Sequence, residues 1–207
     1  MSTPSSGSTL STHRIEALCD GVFSIAMTLL ILDFHVPQLS GPGVPQALAD
    51  YLIRLWPTLV CYVMSFMMLG VFWIGHHNQF HFIRHSDRLF LWINIGFMMC
   101  IAFIPFSTAL LGRYRQEPLA IYLYGGNMVL GSLALYGHWR YAIRSGLAAS
   151  VEPAVIRMTG VRILRAVVLY LVAMGVSLIK VEWSLVLFAI NPFLYIVPGK
   201  IDRYWKS

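Results

Sequence analysis

The sequence predicts an all-α, polytopic membrane protein with six transmembrane helices per subunit. Three observations predict it. Of 207 residues, 57% are hydrophobic and only 12% are charged, and the mean hydropathy is +0.68; a soluble domain has about 25% charged residues. Apolar stretches recur that can cross a hydrocarbon layer of about 30 Å, which takes some 20 helical residues. The positive residues fall in the links between those stretches. The net charge of +6 therefore reads as a positive-inside bias. No basic stripe interleaved with aromatics accompanies it, so nucleic acid is not an expected partner.

The first span is centred on Gly21 to Leu32, which carries no charge, between Arg14, Glu16 and Asp20 on one side and Asp33 and His35 on the other. From Arg14 to His35 a helix rises about 30 Å. Asp20 then lies inside or near the edge of the apolar layer, where a lone carboxylate is costly and needs a partner. Arg14 is six residues away, off its helix face, so partners are expected from other helices. The Pro/Gly/Ser run from Val36 to Pro45 ends the span.

A second span is expected from about Ala47 to Gly75, with Pro57 as a kink or first-turn proline. A third runs from about Leu89 to Leu111, and a fourth from about Leu119 to Tyr141. A polar connection from about Ala142 to Gly160 leads to a fifth, about Val161 to Ile179. The sixth, about Trp183 to Val197, is short and broken by Pro192. Residues 1–12 form a Ser/Thr-rich tail expected to be disordered, residues 13–200 the transmembrane domain, and residues 201–207 a C-terminal tail. The start of the chain lacks the basic residues of a cleaved signal peptide.

Six spans put both termini on one side. Eleven of the fifteen Lys and Arg residues fall on that side, against Arg54, Arg113, Arg115 and Lys180 on the other, which places both termini in the cytoplasm. Cys19, Cys61 and Cys100 each sit in an apolar stretch and read as small buried residues.

Two patterns are candidates for chemistry. Ile25, Leu29 and Leu32, four and three apart, stack on one face of the first helix with Thr28 beside them. At a symmetry axis such a face makes apolar rings that gate by dewetting, and Thr28 offers hydroxyl oxygens to a cation. On spacing alone the better reading is an ordinary packing or lipid-facing stripe, with Thr28 bonded back to its own helix. His77, His81 and His85 recur every four residues beside His76 and Asp87, which is metal-ligand spacing on a helix. Interfacial histidines bonded to backbone or carboxylates account for them better, since a metal site needs a closed, supported ligand set. Gly125-Gly126-Asn127 reads as small residues for close helix packing. No nucleotide loop, nucleophile elbow or catalytic acidic pair is present, so transport ranks above catalysis. A membrane-embedded His-cluster metalloenzyme and a proton or small-ion pathway are the competing readings.

Arg14-Ile-Glu-Ala-Leu18-Cys19-Asp20 resembles the Arg-x-x-x-Phe-Ser-Asp signature of the transmembrane protein 175 family of lysosomal and bacterial potassium channels, with Leu18 and Cys19 in place of Phe and Ser. Gly21 to Leu32 resembles the family's continuation, and Trp73 with His76-His77 its pattern at the end of the second helix. The resemblance is specific over about residues 13–110. It implies a homotetrameric, potassium-permeable cation leak channel in a bacterial inner membrane, needing no cofactor, with the first helices of four subunits around one pore. Ile25, Leu29 and Leu32 would form its hydrophobic constriction and Thr28 its selectivity-linked position. Arg14, Asp20, Trp73 and His77 would share a structural polar network. Asp33, at the outer mouth, is either a cation-concentrating charge or a solvated helix-end carboxylate.

Overall fold

The computed structural model describes residues 12–148 and 151–196. The expected N-terminal tail, except Thr12, and the C-terminal tail lie outside the described residues. Helix α1, Thr12–Leu29, continues as a 3-10 turn, Leu30–Asp33. There follow α2, Val44–Arg54; α3, Trp56–Phe82; α4, Arg88–Arg113; α5, Pro118–Arg144; α6, Pro153–Val176; α7, Val181–Ile190; and α8, Phe193–Ile196. Five of the helical segments are long and apolar enough to cross a membrane, and a shorter apolar one covers Val181–Tyr195. The six-span expectation thus holds roughly, with a sixth segment interrupted at Asn191-Pro192, as a proline inside a short helix dictates.

Two boundaries differ from the sequence reading. The second span does not begin at Ala47. Residues 44–54 form a separate amphipathic helix with no buried residue, and the membrane helix begins at Trp56 with Pro57 in its first turn, where its missing N–H costs nothing. The connection after the fourth span is shorter than expected, because α6 already starts at Pro153 with Glu152 as its N-cap. The apolar count hides this start, since its first turns still carry Arg157 and Thr159.

Helix α5 lies between α4 and α6, and α1 packs on α3 and α4. The shared core includes Phe23, Leu69, Phe97, Ile101, Tyr124 and Tyr170, all buried. Across it, Ser65 Oγ lies 3.1 Å from the Tyr124 hydroxyl and 2.8 Å from Thr108 Oγ1, which also reaches the Ile104 carbonyl at 2.8 Å. These bonds join α3, α4 and α5, and serve backbone near Pro105, inside α4. Asp87 caps α4 by accepting from Phe90 N at 2.7 Å and takes the Tyr141 hydroxyl at 2.7 Å, tying the start of α4 to the end of α5.

The small-residue reading of Gly125 and Gly126 divides. A Cβ on Gly125 would stand 2.7 Å from Met174 Cγ and 3.1 Å from Phe188, whereas one on Gly126 meets nothing within 4 Å. Gly125→Ala is expected to destabilise the detergent-purified protein by about 1–3 kcal/mol through overpacking. Gly126→Ala should raise its unfolding temperature slightly, by the helix propensity gained. Thermal unfolding of the two variants checks the opposite signs.

Candidate functional site

Helix α1 has two faces. Ile15, Cys19, Phe23, Ala26 and Leu30, three or four residues apart, are buried against the bundle. The opposite face is uncovered in the subunit. Ile25 is 61% exposed, Leu29 42% and Leu32 67%, and Arg14, Asp20, Gly21, Ser24 and Thr28 are exposed as well. The change to 3-10 geometry at Leu30 keeps Leu32 in line, because residues three apart eclipse in that helix. Thr28 Oγ1 donates to the Ile25 carbonyl at 2.9 Å. That uses its proton and leaves oxygen lone pairs able to accept.

At the start of this face Trp73 Nε1 donates to Asp20 Oδ1 at 2.8 Å, and the Trp73 ring stacks on His77 with centroids 5.6 Å apart. Asp20, Trp73 and His77 are thus brought together from α1 and α3. Arg14, six residues before Asp20 on α1, is exposed and makes no ion pair among the described residues.

Behind this layer lies a second, fully buried one. Asn94 Nδ2 donates to Cys19 Sγ at 3.2 Å, and Asn94 Oδ1 lies 2.9 Å from His76 Nε2. With the amide nitrogen turned to Cys19, the oxygen accepts, so His76 carries its proton on Nε2. His138 Nδ1 lies 2.7 Å from Gln79 Oε1, while Gln79 Nε2 donates to the Leu135 carbonyl at 3.2 Å; the same logic makes His138 Nδ1 a donor. The His76 and His138 rings stand 5.4 Å apart, between Phe80, Phe90 and Phe97. The sequence patterns assign His138, Asn94 and Gln79 no role. The only signal was that each is a polar residue inside an apolar span.

The helical row His77, His81, His85 does not exist as such. Helix α3 ends at Phe82, and Ile83 is extended, because the following backbone pairs with Leu147 and Ala148. Among the described residues no three His, Cys, Asp or Glu side chains have the grouping of a metal site.

At the other end, Asp33 closes the 3-10 turn. Its Oδ2 stands 3.7 Å from where a Cβ on Gly112 would be. A cavity of about 230 Å³ lined by Leu29, Leu32, Asp33, Thr58 and Thr108 opens beside it.

These features define a polytopic helical-bundle membrane protein whose first helix is half packed and half uncovered. Its residues 14–105 match the family model of the endosomal/lysosomal potassium channel TMEM175. A potassium channel of Streptomyces collinus is 34% identical over 178 residues, 83% of this chain and 85% of that protein. The crystal structure of a lysosomal potassium-selective channel TMEM175 homolog from Chamaesiphon minutus superposes with a TM-score of 0.77 at 30% identity, covering 90% of this chain and 96% of that one. An endosomal/lysosomal proton channel TMEM175 of Gallus gallus is 31% identical over 113 residues, 52% of this chain but only 23% of that longer protein. The chain belongs to the TMEM175 family. Its family is one of ion channels, not enzymes, which sets aside the metalloenzyme reading.

Proposed function

We propose that four copies of this chain form a potassium-permeable leak channel in a bacterial inner membrane, with both termini cytoplasmic and the α1 helices around one axis. The observation that carries this is the uncovered face of α1. The face with Ile15, Cys19, Phe23, Ala26 and Leu30 is packed by its own subunit, yet a stripe holding Ile25, Thr28, Leu29 and Leu32 is left to meet something else. Around an axis, the Ile25, Leu29 and Leu32 rings form an apolar constriction that resists a hydrated ion. The Thr28 oxygens replace part of the water a cation sheds there, and Asp33 raises cation concentration at the outer mouth. Asp20, held by Trp73, sets the rotation of α1 at the opposite end.

Potassium flux into liposomes holding the purified protein tests this, with the oligomer sized beforehand. Wild type is expected to conduct as a tetramer, and Thr28→Val to lower the ratio of potassium to sodium flux. A folded tetramer without cation flux would overturn the proposal. The name of the avian relative favours a second reading, proton movement along the same face. A pH-sensitive dye in the same vesicles separates the two, because a proton pathway acidifies the lumen without a potassium gradient.

A further inference from the structure

The carboxylate of Asp33 is left uncommitted by its own subunit. Its Oδ2 and Thr58 Oγ1 both lie against Gly112, 3.7 and 3.8 Å from where a Cβ would be. The carboxylate is thus set between the first turn of α3 and the last turn of α4. It is half-buried and makes no side-chain hydrogen bond or ion pair among the described residues. Arg113 and Arg115 follow at the end of α4, but both are exposed, where water and salt screen their charge.

The cavity that opens beside Asp33 has a volume of about 230 Å³; an apolar cavity of about 150 Å³ accepts benzene. Its walls are short. Residues 58–62 of α3 and 105–109 of α4 bound it, one helical turn each, or about 6 Å. That shape suits a compact solute. Three aromatic side chains, Phe34, Tyr62 and Phe106, line it together with Asp33. The Phe34 and Tyr62 rings stand at 89° with centroids 5.5 Å apart, as two planes of a corner. Thr108 also lines it, but its hydroxyl is engaged with Ser65 and the Ile104 carbonyl. Few oxygens remain to surround a bare metal ion. A carboxylate among ring faces is instead the chemistry that recognises an organic ammonium.

We propose that this cavity binds a small quaternary ammonium solute, with a trimethylammonium group among Phe34, Tyr62 and Phe106 and its charge balanced by Asp33. Such a group has no N–H to satisfy, and its methyl surfaces fit ring faces. A phosphocholine lipid headgroup would carry its phosphate to the same carboxylate, where like charges repel, so the ligand is a free solute. Binding is a property of one subunit and does not depend on conduction.

Radiolabelled choline, bound to the detergent-purified full chain and displaced by unlabelled competitors, tests this. Choline is expected to displace the label at an about tenfold lower concentration than 3,3-dimethylbutan-1-ol, which has the same shape without the charge. Asp33→Asn should weaken choline about tenfold and leave the alcohol unchanged. Tyr62→Leu should weaken choline more than the alcohol, which a mere change of volume would not do. Ala109→Leu, which fills the cavity from α4, should weaken both. Sizing and unfolding temperature establish that each variant is folded. Equal displacement by choline and the alcohol in wild type would overturn recognition of the charge. Wild-type binding by folded Asp33→Asn or Ala109→Leu would overturn the site. Displacement by dihexanoylphosphatidylcholine as strong as by choline would overturn the assignment to a free solute.

Discussion

Ile25→Asn is expected to raise potassium flux through the reconstituted protein by about tenfold or more, equivalent to lowering the barrier by about 1.4 kcal/mol. Ile25 projects from α1 where the flanking positions Phe23 and Ala26 are buried, so its side chain is free to meet its copies across an axis. In the proposed tetramer, a ring of four isoleucines would give a passing cation no oxygen and would drain water from the narrowest point. Four asparagine carbonyls restore acceptors at that level and let water stay. The volume changes little, so the gain would come from polarity more than width. Val168→Asn on α6 is the control: Val168 is 58% exposed but lies on another helix, and flux should not move. If Ile25→Asn assembles normally and conducts like wild type, α1 does not line the pathway through this residue. If both variants raise flux alike, the gain reflects a loosened bundle.

The pattern on α1 was legible in the sequence because it is local. A helix repeats every 3.6 residues, so the spacing of Ile25, Leu29 and Leu32 already placed them on one face. What spacing does not contain is which face the bundle covers. That depends on Cys19, Phe23 and Ala26 meeting residues from α3 and α4 far along the chain. The same limit explains the histidines. His77, His81 and His85 share a period, but the pairing of residues after Phe82 with Leu147 and Ala148 ends the helix before His85 is reached. The contact of His76 with His138 joins helices 62 positions apart in the chain, and no local period announces it. Helix α2 was absorbed into a span because its leucines raise the hydropathy of the window, although none of its residues is buried. An amphipathic helix of that kind suits the membrane interface.

The buried layer around Asn94 gives the second large effect. Asn94→Ala is expected to destabilise the protein by about 2–3 kcal/mol and lower its unfolding temperature in detergent by several degrees. Asn94 is 1% exposed and faces His76 on α3 and Cys19 on α1. Alanine would strand the His76 Nε2–H among Phe23, Phe80 and Phe97, where no water reaches it, and an unmet buried donor costs about 1–3 kcal/mol. It would also leave a void beside Met98. Two considerations set the size. Hydrogen bonds between membrane helices average only about 0.6 kcal/mol in double-mutant cycles, because the unfolded helices find other partners; the vacated space adds to that. Cys19→Ser supplies the contrast. A serine hydroxyl accepts from Asn94 Nδ2 at least as well as a thiol and is a better donor, so the bond survives and stability should stay within about 1 kcal/mol of wild type. Cys19→Val, similar in shape but with no acceptor, should fall between the two. An Asn94→Ala protein that unfolds at the wild-type temperature would show that the stacked rings alone fix His76, and that the amide adds nothing to the register of α1 against the bundle.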